Sequence, residues 1–199
     1  MATAHAGLVS ALCGRAHQLQ RCGMACMPCT RLGFSPQRLP PSKLDELDRQ
    51  LAGQQEGLNA LTVAQYLCAR QRFDPAERDP QVARRARVSW RDKLMQARTG
   101  ALRERGGGDE AAMASLARVQ VEQQMRSLHA LHNPDRVAGG HDVIADFGDG
   151  QVNSTIGRQW NLKRRGEPSR VQQLDRAAAG VPFAYREVTR MNGLLVRDS

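Results

Sequence analysis

A chain of 199 residues, 41% hydrophobic but only 4% aromatic, can bury one ordinary core built from Leu, Val, Ala and Met. That suits packed helices and excludes two full domains or an aromatic-rich β-sandwich. The formal charge of +9 suits a polyanionic partner, because clustered cations gain affinity by releasing condensed counterions, and no run approaches the roughly 20 apolar residues needed to span a bilayer.

Residues 1–41 join small residues and cysteines to GFSPQRLPP, which reads as a flexible extension ending in a stiff Pro-rich linker. The first residues, MATAHAGLVSALCGR, lack a cationic stretch ahead of a long apolar one, so export by a cleavable leader is not expected. Five cysteines, an odd number, argue against a fully paired disulfide framework. Cys22, Cys26 and Cys29 form CxxxCxxC, a spacing that an iron–sulfur cluster uses, and His17 would complete a zinc set. Beyond Cys29 the chain reads as a linker and helices rather than a large barrel, so reduced thiols are the expected state.

The folded module is expected over residues 42–199. Ser42 and Asp45 have capping-box spacing ahead of Leu44, Leu47 and Leu51, and Gly53 and Gly57 should weaken or end that helix. Thr62 with Gln65 forms a second capping box before Val63, Tyr66 and Leu67. Asp79 and Pro80 then open a basic helix to about Arg105, carrying Arg84, Arg85, Arg87, Arg91, Lys93, Arg98 and Arg103. Such a run is a solvated face, or a phosphate-tracking one if a site lies beside it. The cations are nearly all Arg, which a compositional bias also explains, and few aromatics interleave with them to stack on single-stranded bases. Glycines 106–108 break the chain, and Asp109 should cap a helix to about Leu131, with Val121, Met125 and Leu128 on one face.

Four residues further along that face lies His132, followed by Asn133, Pro134 and Asp135. Pro134 fixes its own φ and moves Asn133 out of the helical region, so an imidazole and a carboxylate flank a turn sequence, Asn-Pro-Asp. His132 alone also fits a core histidine bonded to a backbone carbonyl. The loop beyond holds Gly139, Gly140, Asp142, Asp146 and Asp149, and it can bring a second carboxylate to His132. Asn153, Ser154 or Thr155 should cap a helix to about Arg164 that carries Gln159 and Trp160, and its N-terminus is a ready phosphate site. A last helix is expected from Pro168 or Ser169 to Ala179 with Gly180 beyond it, before a short helical or extended end. The fold expected is mainly α, a compact multi-helix domain with an irregular catalytic loop.

Taken together, QLAGQQEGLNALTVAQYL at residues 50–67, LHNPD at 131–135, AGG at 138–140 and GDGQVNSTIGRQW at 148–160 resemble the novel toxin domain fifteen family. Its members are C-terminal nuclease domains of bacterial polymorphic toxins, marked by an HxxD motif. The resemblance runs in order over residues 44–196. It implies a DNase made in a bacterial cytoplasm, delivered into a competitor by a contact-dependent route such as type VI secretion, and neutralised in the producer by a cognate immunity protein. His132 and Asp135 match the HxxD pair, whereas Thr155 stands where members commonly carry serine. Residues 1–41 have no counterpart there and would be a junction or adaptor to a secretion carrier.

The expected chemistry makes His132 the general base, with Asp135 orienting it or joining Asp149 on a divalent ion, expected to be magnesium. Asp146 is an alternative third carboxylate, and the Gly140, His141, Asp142 insert departs from the usual loop, which weighs against metal ligation by Asp142. Asn153, Ser154, Thr155, Gln159 and Arg164 are the candidate substrate-binding residues. The alternatives are a metal-independent RNase toxin and a non-catalytic basic module that binds DNA or a protein partner.

Overall fold

The structure is a computed structural model that describes residues 25–77, 79–106, 109–163 and 166–198. Helix α1 (Leu44–Ala60) turns Leu47, Gln50, Leu51, Gln54 and Leu58 inward at intervals of three and four, the repeat that puts one stripe against a core. The capping box expected at Ser42 does not form; a 3-10 turn (Pro41–Lys43) leads into the helix, and Asp45 and Glu46 supply negative charge to its first turn. Nor does the helix stop at Gly53 or Gly57. It runs on to Ala60 because the chain around Asn133 packs against both glycines.

Helix α2 (Val63–Arg72) starts on the expected box: Gln65 N donates to Thr62 Oγ1 at 3.1 Å and Thr62 N to Gln65 Oε1 at 2.8 Å. Helix α3 (Pro80–Glu104) opens on Asp79, which accepts from Gln81 N at 2.8 Å, with proline at its first position. None of its residues is buried. Helix α4 (Glu110–Ser127), capped by Asp109, packs along it. Much of the basic run is used between these two helices: Arg87 donates to the carbonyls of Met125 and Leu128, Arg91 faces Glu122 at 3.8 Å, and Arg103 pairs with Glu110.

Helix α4 ends earlier than its apolar stripe suggests. Leu128 turns extended, and β2 (Leu128–Leu131) pairs antiparallel with β3 (Asp146–Asp149), Leu128 opposite Asp149 and Leu131 opposite Asp146. Arg87 takes carbonyls that the helix end leaves open, and Trp90 stacks on Phe147 with ring centroids 5.4 Å apart.

Helix α5 (Gly150–Trp160) also begins elsewhere than expected. Asp149 is its cap, accepting from Gln151 N at 2.9 Å and Val152 N at 3.1 Å, so Asn153, Ser154 and Thr155 lie inside the helix. Helix α6 (Arg170–Ala179) carries the capping box of Ser169 and Gln172. The end of the chain is extended: β4 (Gly193–Arg197) pairs in parallel with β1 (Thr30–Phe34). Strand β1 falls within the stretch expected to be extension and linker, yet Met27, Leu32 and Phe34 are buried core residues. Phe34 meets Trp160 edge-on at 5.1 Å, and the buried Arg170 lies over its ring at 4.8 Å while donating to Gly33 O at 2.5 Å. The rest of the core is mainly aliphatic, with Leu47, Leu51, Leu58, Ile156 and Leu174 at its centre beside the Tyr66 ring.

The β2–β3 pair is tied to α1 by charge. Glu46 accepts from Arg49 Nε at 2.7 Å, Gln50 Nε2 at 2.8 Å and Asp149 N at 3.1 Å, while Arg49 also reaches Asp146. The Arg49 hydrogen bond, against the upward push of burial and with Gln50 and the Asp149 amide, holds the Glu46 carboxyl down at about 2. A folded value below the unfolded 4.5 contributes stability that is complete above pH ~4.5 and lost as pH falls toward 2. After allowance for solvent screening this is about 1–2 kcal/mol. Wild type should therefore lose melting temperature between pH 5 and 3 more steeply than Glu46→Gln; equal slopes by circular dichroism would rule out the linkage.

Candidate active site

The loop after β2 is held from three sides. From α1, a Cβ at Gly57 would stand 2.2 Å from Asn133 O, and one at Gly53 would stand 2.7 Å from Asn133 Nδ2; only a bare helix face admits this backbone. Between the two glycines, the buried Gln54 donates from Nε2 to His132 O at 3.1 Å and accepts at Oε1 from Asp135 N at 2.5 Å. One amide thus spans Asn133 and Pro134, which are joined by a cis peptide bond.

From α2, the Tyr66 ring lies against Gly139, whose φ of +89° ends the short 3-10 turn Arg136–Ala138. Arg70 donates to Val137 O at 2.8 Å and grips Asp175 of α6 through Nε at 3.0 Å and Nη2 at 3.1 Å. Tyr66 OH donates to the same carboxylate at 2.8 Å. Burial, with the Asp175 charge, pushes the Tyr66 hydroxyl far above its ordinary range, so it remains a donor. From α5, a Cβ at Gly157 would stand 3.5 Å from Asp135 Oδ2. Asp135 closes the loop on itself: its Oδ1 accepts from Val137 N at 3.1 Å and its carbonyl from Ala138 N at 2.8 Å and Gly140 N at 3.0 Å.

On this frame His132 meets a carboxylate. Its Nε2 lies 3.0 Å from Asp142 Oδ1, with the two side chains 13% and 26% exposed. Asp142 Oδ2 accepts from Asp79 N at 3.1 Å. Burial pushes the Asp142 carboxyl up, but the His132 hydrogen bond, the Asp79 amide and the charge of Arg136 outweigh it and hold it below its usual range. A carboxylate that stays ionised accepts from Nε2–H and leaves the lone pair on Nδ1, the arrangement of an oriented general base. The loop thus supplies the second carboxylate expected for His132, and it is Asp142. Asp142 also lines a cleft of about 510 Å³ together with Gln65, Cys68, Arg72, Arg136 and His141.

The other candidates divide. Asn153 falls on one face of α5 between Gly150, against which the His129 ring packs, and Gly157 beside Asp135, so it stands along the loop; Ser154 is exposed next to it. Thr155 and Gln159 are buried, and their polar groups serve the fold. Thr155 Oγ1 donates to Gln151 O at 2.8 Å, while Gln159 bridges Ser35 N and O and takes Arg170 Nη2 at 3.1 Å. Arg164 lies outside the described residues. The N-terminus of α5 is filled by its own Asp149, whose carboxylate also receives Lys43 Nζ at 2.8 and 3.0 Å. In this arrangement the Asp149 carboxylate is engaged by Lys43 and by the first amides of the helix.

Among the described residues no three of His, Cys, Asp or Glu stand together as a cation set. The roles derived above for His132 and Asp142 call on no divalent ion. Of the cysteine motif, Cys22 and the proposed partner His17 lie outside the described residues, and Cys29 is disulfide-bonded rather than reduced. Sequence reasoning missed Gln54 and the work of Gly53 and Gly57. The available signal was two glycines four apart inside an otherwise apolar helix repeat, the mark of a close backbone approach.

A family model described as Novel toxin 15 matches residues 41–189. The chain belongs to that family. The match contains the whole loop and its supports on α1, α2 and α5, so the clamped His132 turn belongs to the part of the chain that is recognisably Novel toxin 15. Strands β1 and β4 lie beyond the match at either end, yet they complete the core of this Novel toxin 15 domain. No curated protein matches the chain significantly. No helix among the described residues is long and apolar enough to cross a membrane.

Proposed function

We propose that this polymorphic toxin domain is a DNase, with His132 taking the proton from the attacking water. The observation that carries the reading is the His132–Asp142 pair at 3.0 Å, partly exposed, on a loop locked by three helices and beside a cleft that Arg72 and Arg136 line. Asp142 fixes the imidazole's tautomer and stabilises the imidazolium as Nδ1 gains the proton. Arg72 offers its charge to the phosphate, whose negative charge grows in the transition state. Asp135 shapes the loop, and Asn153 contacts the strand beside it. Delivery into a competitor's cytoplasm through a secretion carrier, and neutralisation by a cognate immunity protein, complete this reading.

The test is cleavage by the purified full chain of plasmid DNA and of total RNA, each with and without chelator. Loss of DNA is the expected result, and its sensitivity to chelator reads whether magnesium, which Asp135 would hold together with the phosphates, takes part. Cleavage of RNA alone, indifferent to chelator, would replace this reading with an RNase toxin. Salt-sensitive binding with neither polymer cut would leave a binding module.

A further inference from the structure

The chain has four phenylalanines and two tyrosines, and two of these six rings sit exposed on one turn. Phe183 is 86% and Tyr185 62% exposed, with Val188 at 56% beside them. Phe34, Phe147 and Tyr66, by contrast, are buried. The turn is not loose: Tyr185 N donates to Pro182 O at 2.9 Å, Arg186 N to Phe183 O at 3.2 Å and Thr189 N to Tyr185 O at 2.9 Å. Arg186 pins it further, donating to Val181 O at 2.8 Å and Ala179 O at 3.0 Å, with its guanidinium 5.9 Å from the Phe183 ring centroid. The backbone that carries the rings thus has little conformational freedom left to lose.

The place of the turn gives it a use. Its backbone is bonded to the first turn of α2, Ala64 N to Arg186 O at 2.9 Å and Val63 N to Thr189 O at 2.8 Å. Ala64 and Gln65 are also a wall of the cleft that holds Asp142, Arg72 and Arg136. Exposed aromatic faces with a cation at one ring, set beside an arginine-lined cleft on a chain of charge +9, match what an unpaired nucleic-acid strand needs. Bases stack on the rings while the phosphates follow the cations.

We propose that the turn 182–188 is a base-stacking platform at the edge of the active-site cleft, so that the substrate strand is held with its bases unpaired. This rests on the nuclease reading. The experiment uses the full chain carrying His132→Ala, so that substrate is not consumed, and a fluorescein-labelled single-stranded oligonucleotide with a duplex of equal length. Adding Phe183→Ala or Tyr185→Ala should weaken single-strand binding roughly 5- to 100-fold and change duplex binding little, while Tyr185→Phe keeps the affinity. Unchanged single-strand affinity in the double alanine variant overturns the platform and leaves the turn as a seat for a protein partner. An equal loss on both probes, or a loss with Tyr185→Phe, also overturns it. No binding of either probe by the parent chain overturns the nuclease reading together with the platform.

Discussion

His132→Ala is expected to lower DNA cleavage by about 10²- to 10⁴-fold while leaving the melting temperature close to that of the parent. The imidazole is 13% exposed beside Asp142 at 26%, and the loop keeps its shape through other groups. Gln54 bonds to the backbone of residues 132 and 135, Asp135 caps the adjoining 3-10 turn, and Arg70 holds Val137 O. None of those contacts uses the ring. Asp142→Asn separates orientation from proton transfer, since it keeps the shape and removes the negative charge that stabilises the imidazolium. Plasmid nicking rates measured beside circular dichroism melts decide the matter. Full activity in the purified His132→Ala chain would remove the imidazole from the reaction, and full activity in Asp142→Asn would remove the proposed orienting charge.

Gly57→Ala should destabilise the protein, against the usual sign. In an exposed helix interior this change stabilises by about 1 kcal/mol. Here the new Cβ would stand 2.2 Å from Asn133 O, 2.3 Å from Asn133 C and 2.7 Å from Pro134 N, whereas ordinary contact begins near 3.4 Å. Those are backbone atoms, so no rotamer change relieves the clash; the loop or the helix must move. The expected cost is about 2–4 kcal/mol, read as a fall of roughly 6–12 °C in melting temperature. Cleavage falls with it, because His132 is carried on the backbone that moves. Gly100→Ala on α3, where nothing lies within 4 Å of the new Cβ, serves as the control and should gain about 1 kcal/mol. A Gly57→Ala protein that melts at or above the parent would show that the loop does not rest on α1.

The same two glycines explain where sequence reading stopped. Judged alone, Gly53 and Gly57 look like the end of a helix, because a glycine's cost is local and its reward lies far along the chain, at Asn133. The local sequence points to a cap at residues 153–155 rather than at Asp149 for a related reason: the choice among several competent cap residues turns on where β3 ends, and β3 exists only through its pairing with β2. Leu128 continues an apolar helix stripe, yet it is drawn into that pairing, which moves His132 from a helix end to the end of a strand.

Legible in the chain alone were several of the caps that close within four residues and the order of the motifs. The box at Thr62 with Gln65, the Asp79–Pro80 start and the Asp109 cap each join a side chain to a nearby amide, so adjacent residues suffice to specify them. The helical class and the family came from such local signals and their sequence order. Only folding decided that β1 belongs to the core, that Gln54 grips the loop of His132, that Asp149 bonds to Lys43, and that the carboxylate beside His132 Nε2 is that of Asp142. Each of those outcomes joins segments far apart along the chain or turns on how a loop is clamped, and a contact of that kind is set by which surfaces the core brings together, a quantity no short window of residues contains.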